Sequence, residues 1–345
     1  MSLLTFLLFA MGCPTSPEKE ETAETGPEDT GACAGTTEST TWCGGSPDAD
    51  GTCPEPASFD VPIDACTIIV CSVDGAGERE DVHDSGGETR AACCYPVTAF
   101  TETGCVDGRP LTVEGAVRLA DVVARDDWGA GSQSAPVPAE LRELLAAEWA
   151  RAGLVEHASI AAFAKLSLEL LGLGAPADLV RDAQRAGADE VRHASDSFAL
   201  AARFGGAPVG PGPLALEGVR VGVDLVTLAR ETVLEGCIGE TISAALAEAS
   251  LARTTDPEAR RVLARIVADE RRHAALAWRI VQWALAVGGA DVRRAVDEAF
   301  EARPVLTAGP EGLERWGRLG GAEARAVMQA AWREVVRPAA RVLAA

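Results

Sequence analysis

Two seven-residue segments carry the same chemistry, "ADEVRHA" at 188–194 and "ADERRHA" at 268–274. In each, a glutamate precedes a histidine by three positions: Glu190 and His193, then Glu270 and His273. Residues three apart on an α-helix lie about 60° apart around its axis, so carboxylate and imidazole share a face. Such a pair suits a cation of intermediate hardness, iron or manganese. Two pairs facing each other make a dinuclear site if two more carboxylates complete the shells. Glu156 stands 34 residues before Glu190 and Glu235 stands 35 before Glu270. Each half therefore reads as a lone Glu, a turn, then Glu-x-x-His. Glu231 and Glu240 compete with Glu235 for its place, and the matched spacing favours Glu235. The chain has four histidines, His83, His157, His193 and His273, and two fall where the motif needs them. His157 directly follows Glu156, points about 100° away, and reads as structural.

The elements that must hold these residues are helices. After Pro138 alanine, leucine, arginine and glutamate dominate, and apolar residues recur at helical spacing. The punctuation predicts one helix from about 139 to 171, stopped by "GLGAP" (172–176). A second runs from Pro176 to about 204–206. A breaker-rich connection, "GGAPVGPGP" (205–213), leads to a third helix over roughly 217–252. A fourth begins at "TDPE" (255–258), with Asp256 as N-cap, and ends at Gly288-Gly289. Further helices are expected at about 290–302 and 322–343. Two helical hairpins joined by a longer crossover is the plan of a four-helix bundle. Phe163, Phe198, Trp278 and Trp283 read as packing residues, Cys237 as a buried free thiol, and Arg192 and Arg272 as outer members of ion pairs.

This arrangement resembles the ferritin-like di-iron carboxylate superfamily, over about residues 139–287. The resemblance implies an all-α, ferritin-like bundle with extra C-terminal helices. It implies two iron ions as cofactor, with manganese–iron as an alternative. Glu190 and Glu270 would bridge the metals, Glu156 and Glu235 would be terminal ligands, and His193 and His273 would each bind one ion. Metal-bound histidines hand their other N–H to a carboxylate, and the family's pattern across the bundle gives Asp189 to His273 and Asp269 to His193. The implied activity is redox chemistry with dioxygen or peroxide and a reductant, as a di-iron oxidoreductase. The alternative is a non-catalytic iron-binding, storage or interaction protein. The only tyrosine is Tyr95, far from the motifs, so the bundle lacks the radical-bearing tyrosine of ribonucleotide reductase small subunits. The missing Cys-x-x-Cys pairs argue against a complete rubrerythrin.

The first part of the chain has another character. Of the 52 acidic and 31 basic residues, 24 acidic and 6 basic lie in 1–135, so the acidity is concentrated there and disfavours nucleic acid as a partner. Cys33, Cys43, Cys53, Cys66, Cys71, Cys93, Cys94 and Cys105 crowd into residues 33–107. In a Gly/Pro/Thr-rich segment they predict a small disulfide-rich, irregular or β module in an oxidising compartment, with the pairing open. A metal knuckle is the alternative. The run "MSLLTFLLFAMGC" is too short to span a membrane. It resembles a bacterial lipoprotein signal over 1–12, with Cys13 as the lipidated residue; an ordinary cleaved signal with an incidental cysteine is the alternative. Residues 13–32 read as an acidic disordered tether and 108–138 as a linker. Residues 139–289 read as the bundle and 290–345 as additional helices. The expected setting is the cell envelope, touching the membrane only through a lipid anchor.

Overall fold

The structure is a computed structural model. It describes the backbone of 37–43, 69–73, 78–83, 89–100 and 344, and side chains as well over 108–113, 116–129, 137–302, 304 and 309–343. The signal segment, Cys13, the tether, and Cys33, Cys53, Cys66 and Cys105 lie outside the described residues. The chain divides into two units, one over 15–103 and one containing everything from Gly104 onward.

In the first unit the described strands form one antiparallel sheet. Strand β4 (Thr89–Phe100) pairs with β1 (Thr37–Cys43), with β2 (Ile69–Val73) and with β3 (Glu78–His83). The register sets Cys43 opposite Cys94 and Arg79 opposite Cys93.

The second unit is helical. Helix α1 (Arg142–Gly172) and helix α2 (Ala177–Gly205) form a tight antiparallel hairpin. Its turn passes through Gly174 at φ +70°, a left-handed conformation that costs glycine nothing. Ala175 N–H bonds back to Leu170 O at 2.9 Å, and Pro176 precedes the first turn of α2. Gly206, at φ +84°, ends α2 by donating to Ala202 O. The crossover contains one short strand, Gly210–Pro211, paired antiparallel with Val122–Val123, and is otherwise irregular to Asp224, whose carboxylate accepts from Val226 and Thr227 N–H. The third helical rod thus starts at Leu225, later than the apolar pattern suggests, because two glycines and an N-cap residue lie between 218 and 224.

That rod changes winding twice. Helix α3 (Leu225–Glu231) runs into a π-helical stretch, Thr232–Glu240, and then into helix α4 (Thr241–Arg253). The sequence of the stretch, "TVLEGCIGE", supplies the reason. It is poor in strong helix formers, and its glycines remove side chains where the widened coil meets its neighbours. A Cβ on Gly236 would stand 2.5 Å from Ala277 Cβ, and one on Gly239 would stand 2.8 Å from Gly108 O.

Helix α5 (Pro257–Val287) returns against α4, the π stretch and α2. Asp256 caps it, accepting from Glu258 N–H at 3.1 Å and Ala259 N–H at 3.0 Å, and Arg203 grips both its oxygens at 3.0 Å. Asp256→Ala removes the cap and orphans Arg203. It is expected to destabilise the fold by about 1–2 kcal/mol in a denaturant titration. Helix α6 (Ala290–Phe300), helix α7 (Gly321–Ala331), a five-residue π turn and helix α8 (Arg337–Ala344) pack on the third rod. Their core with α5 holds Trp278, Val281, Val296, Met328 and Val336. A second core, around Trp149, Phe198, Phe204 and Leu263, closes the hairpin end. Among the described residues no helix is long and apolar enough to cross a membrane.

Candidate metal centre

The four rods bring six donors together. Glu156 on α1, Glu190 and His193 on α2, and Glu270 on α5 form one group with oxygen and nitrogen atoms within 4.8 Å of one another; Glu190, Glu240 and His273 form a second. Glu190 belongs to both. The i, i+3 spacing works as helical geometry demands: His193 Nδ1 lies 3.5 Å from Glu190 Oε2, and His273 Nδ1 3.5 Å from Glu270 Oε1. The carboxylates also cross between helices, Glu270 Oε1 standing 3.4 Å from His193 Nδ1 and Glu190 Oε1 standing 3.0 Å from His273 Nδ1. Each of these two glutamates therefore spans both imidazoles. Glu156 Oε2 is 3.9 Å from His193 Nδ1.

Behind the histidines sits a charged girdle. Asp269 Oδ2 meets His193 Nε2 at 3.1 Å, and Asp189 Oδ2 meets His273 Nε2 at 3.4 Å, each aspartate reaching across to the other helix. Arg192 pairs with Asp189 and, at 3.4 Å, with Asp269; Arg272 pairs with Asp269 and, at 3.0 Å, with Asp189. With Nε2 turned to an aspartate, Nδ1 of each ring is the atom left facing the carboxylate cluster. Phe163 backs His273 edge-on, ring centres 5.2 Å apart.

Glu235 lies elsewhere, which corrects the reading from spacing. Its carboxylate takes Thr112 Oγ1–H at 3.0 Å and the buried Arg109 guanidinium at 3.3 Å. Glu240, five residues on, occupies the inward place instead. Glu231 pairs with Lys165 at 2.7 Å, and Lys165 also reaches Glu169 at 3.0 Å. Arg109 and Thr112 carry no helical period or motif, and no sequence signal connects them to Glu235. His157 packs edge-on against Trp128, ring centres 5.1 Å apart, outside both donor groups. Cys237 is buried and free, and burial pushes its thiol well above the usual range.

The cluster is electrically strained as a set of protein groups alone. Burial pushes Glu156 well above the usual carboxylate range, reinforced by Glu190; burial and Glu270 do the same to Glu240. Burial also works against charge on Glu270, but contacts with His193 and His273 outweigh it and hold that carboxyl well below its ordinary value, with Glu190 lowered likewise. Burial opposes charge on the histidines too, yet Asp269, Glu190 and Glu270 raise His193, and Asp189, Glu190 and Glu270 raise His273. Asp189 and Asp269 stay below the usual range, burial being outweighed by a histidine and an arginine at each.

Buried polar groups are normally paired, and an unpaired one costs about 1–3 kcal/mol. Here Glu190 Oε2, Glu240 Oε1 and Oε2, Glu270 Oε1, and Nδ1 of both histidines are buried without a hydrogen-bond partner. These orphaned atoms belong to the same two donor groups. Four carboxylates with two neutral imidazoles carry four negative charges, which two divalent cations balance; without them such charges are prohibitive in a buried site. The donor set, oxygen with imidazole nitrogen and no thiolate, fits iron or manganese. The helical unit thus contains a buried acid–histidine cluster compatible with a dinuclear carboxylate metal site. No protein-family model, curated protein or solved structure matches this chain.

Proposed function

We propose that the helical unit is a ferritin-like bundle holding two iron ions, with manganese–iron as the alternative pair, and that it carries out redox chemistry with dioxygen or peroxide. The observation that carries this reading is the convergence of donor side chains from all four rods on one place, with orphaned, buried atoms on three of the rods. Glu190 and Glu270 would be shared between the two ions. His193 with Glu156 would complete one shell, and His273 with Glu240 the other. A bound iron pair supplies a place for dioxygen or peroxide and a two-electron store.

The chain's own residues do the preparatory work. Asp189 and Asp269 hold the histidine Nε2–H groups, which fixes the tautomer and leaves the Nδ1 lone pairs directed inward. Arg192 and Arg272 keep those aspartates ionised. Glu156 and Glu240, raised by burial, give up protons as a cation takes their place. Phe163 packs its buried ring against His273 and covers that imidazole.

The test is metal content by elemental analysis of the full chain, beside Glu190→Ala and Glu270→Ala. About two ions per chain are expected, and fewer than one in either variant. Reduction followed by exposure to oxygen is expected to change the near-ultraviolet absorbance of the parent chain. A well-folded parent that takes up no metal would overturn the proposal. Stoichiometric metal with no response to oxygen would leave the binding and remove the redox activity.

A further inference from the structure

A cleft of about 130 Å³ opens beside the cluster, on the side of Glu156. Its walls come from four helices and mix apolar with polar side chains: Trp149 and Val155 on α1, Ser197 on α2, Leu246 and Ser250 on α4, and Leu263 on α5. The segment around 309–324 forms the remaining wall, through Gly309, Leu319 and Ala324. That segment is tied down at Trp149, whose Nε1–H bonds Trp316 O at 3.1 Å and whose ring lies under the Arg318 guanidinium at 5.4 Å. Arg318 faces Glu148 at 3.8 Å, and Arg151 also lines the cleft.

Ser197 is the informative residue. It lies four positions after His193 and seven after Glu190, on the same face of α2, and it lines the cleft together with Glu156. Helical serines commonly satisfy their hydroxyl on the carbonyl one turn back. Ser159, Ser167 and Ser195 do so, at 3.1, 2.8 and 2.9 Å. Ser197 does not: its Oγ has no partner, and the residue is fully buried. A buried hydroxyl left unpaired at the wall of a cleft is where a ligand's own polar group gains most.

We propose that this cleft binds a small amphipathic organic molecule bearing one hydroxyl or carbonyl, held by Ser197 with its apolar side against Trp149 and Leu263. The idea rests on the metal reading above, because such a molecule would then lie beside Glu156 and the ions. Size sets the class: an apolar cavity of about 150 Å³ admits benzene, so the occupant is of about that size and not a long-chain lipid. The other cavity near the cluster, about 330 Å³, is bordered by Asp182, Arg185, Arg272 and Arg279 as well as His273.

Phenol and toluene are the probes, titrated into the full chain with metal content measured on the same samples. Both are expected to bind saturably at millimolar concentration. Ser197→Ala is expected to weaken phenol about tenfold and leave toluene unchanged. Ala247→Leu, which fills the cleft, is expected to weaken both, and neither variant should lose metal. A chain that holds metal but binds neither probe would overturn the cleft proposal alone. So would equal loss of phenol and toluene in Ser197→Ala, or indifference of both probes to Ala247→Leu. A chain that binds the probes but holds no metal would instead overturn the metal reading and leave the cleft without the reactive neighbour proposed for it.

Discussion

Glu240→Ala is expected to cost the chain one of two metal ions, whereas Glu235→Ala keeps both and loses stability instead. Glu240 is buried with both carboxylate oxygens unpartnered, and it shares a donor group with Glu190 and His273. Its removal leaves His273 and the two shared carboxylates to hold the second ion, and the site opens on that side. Glu235 has a different task. It neutralises Arg109, whose side chain is only 4% exposed, and accepts from Thr112. Truncating it strands a buried guanidinium that also lies over the Phe163 ring at 5.6 Å. About 2–3 kcal/mol is the expected loss, because Glu235 itself is 21% exposed and water relieves part of the penalty. Elemental analysis and a denaturant titration of both variants separate the two roles. One ion lost in Glu235→Ala with two retained in Glu240→Ala would reverse the assignment made from the geometry.

That pair of residues also marks where sequence reasoning succeeds and where it fails. Glu-x-x-His is legible because it is local: the helical repeat alone sets the two side chains on one face. The helix ends around it are legible too, since "TDPE" contains its own N-cap and first-turn proline, and Gly206 its own left-handed stop. The third rod's member of the cluster was hidden because matching the two hairpins assumes that both halves wind alike. They do not. Glu240 stands 13 residues before the end of α4 and Glu270 13 after the start of α5, so the two sit level across their turn. Glu235 lies about 7.5 Å further along an ideal helix axis. Counting outward from the turn, and not from one hairpin to the other, would have favoured Glu240.

The contacts of Arg109 and Ser197 were illegible for another reason. Arg109 precedes the helices in an irregular segment and meets Glu235 across more than a hundred residues. No periodicity describes such a contact. Ser197 has a legible position, one turn beyond His193, but its significance is an absence: its buried hydroxyl does not return to its own backbone, and only coordinates reveal that. The site in this fold accordingly rests on two levels. A repeated local motif supplies most of the acid–histidine cluster, while the π stretch turns Glu240 inward and Arg109 holds Glu235 away from it.

The gap in melting temperature between metal-loaded and metal-free protein is expected to widen as pH rises from 6 to 8.5. In the metal-free chain His193 and His273 are raised above their ordinary 6.5 by the surrounding carboxylates. The stability they contribute is complete below that value and is lost as pH climbs through the raised one. Glu156 and Glu240 act in the same direction. Burial raises them, the unfolded chain ionises first, and stability falls as pH rises above their ordinary 4.5. Glu190 and Glu270 are lowered, so what they add is already present above 4.5 and disappears only in acid. Across neutral pH, therefore, this cluster makes the metal-free bundle less stable with every step upward. Metal runs the other way, because the cations need neutral imidazoles and ionised carboxylates, and each proton displaced on binding strengthens affinity about tenfold per pH unit. One such proton adds about 1.4 kcal/mol of stabilisation per unit at fixed metal concentration. In a helical unit of this size that amounts to about 3–5 °C. Thermal melts with excess ferrous iron under anaerobic conditions, beside melts with a chelator, measure the gap directly. A gap that stays constant between pH 6 and 8.5 would mean that the ions, wherever they bind, do not displace protons from this cluster.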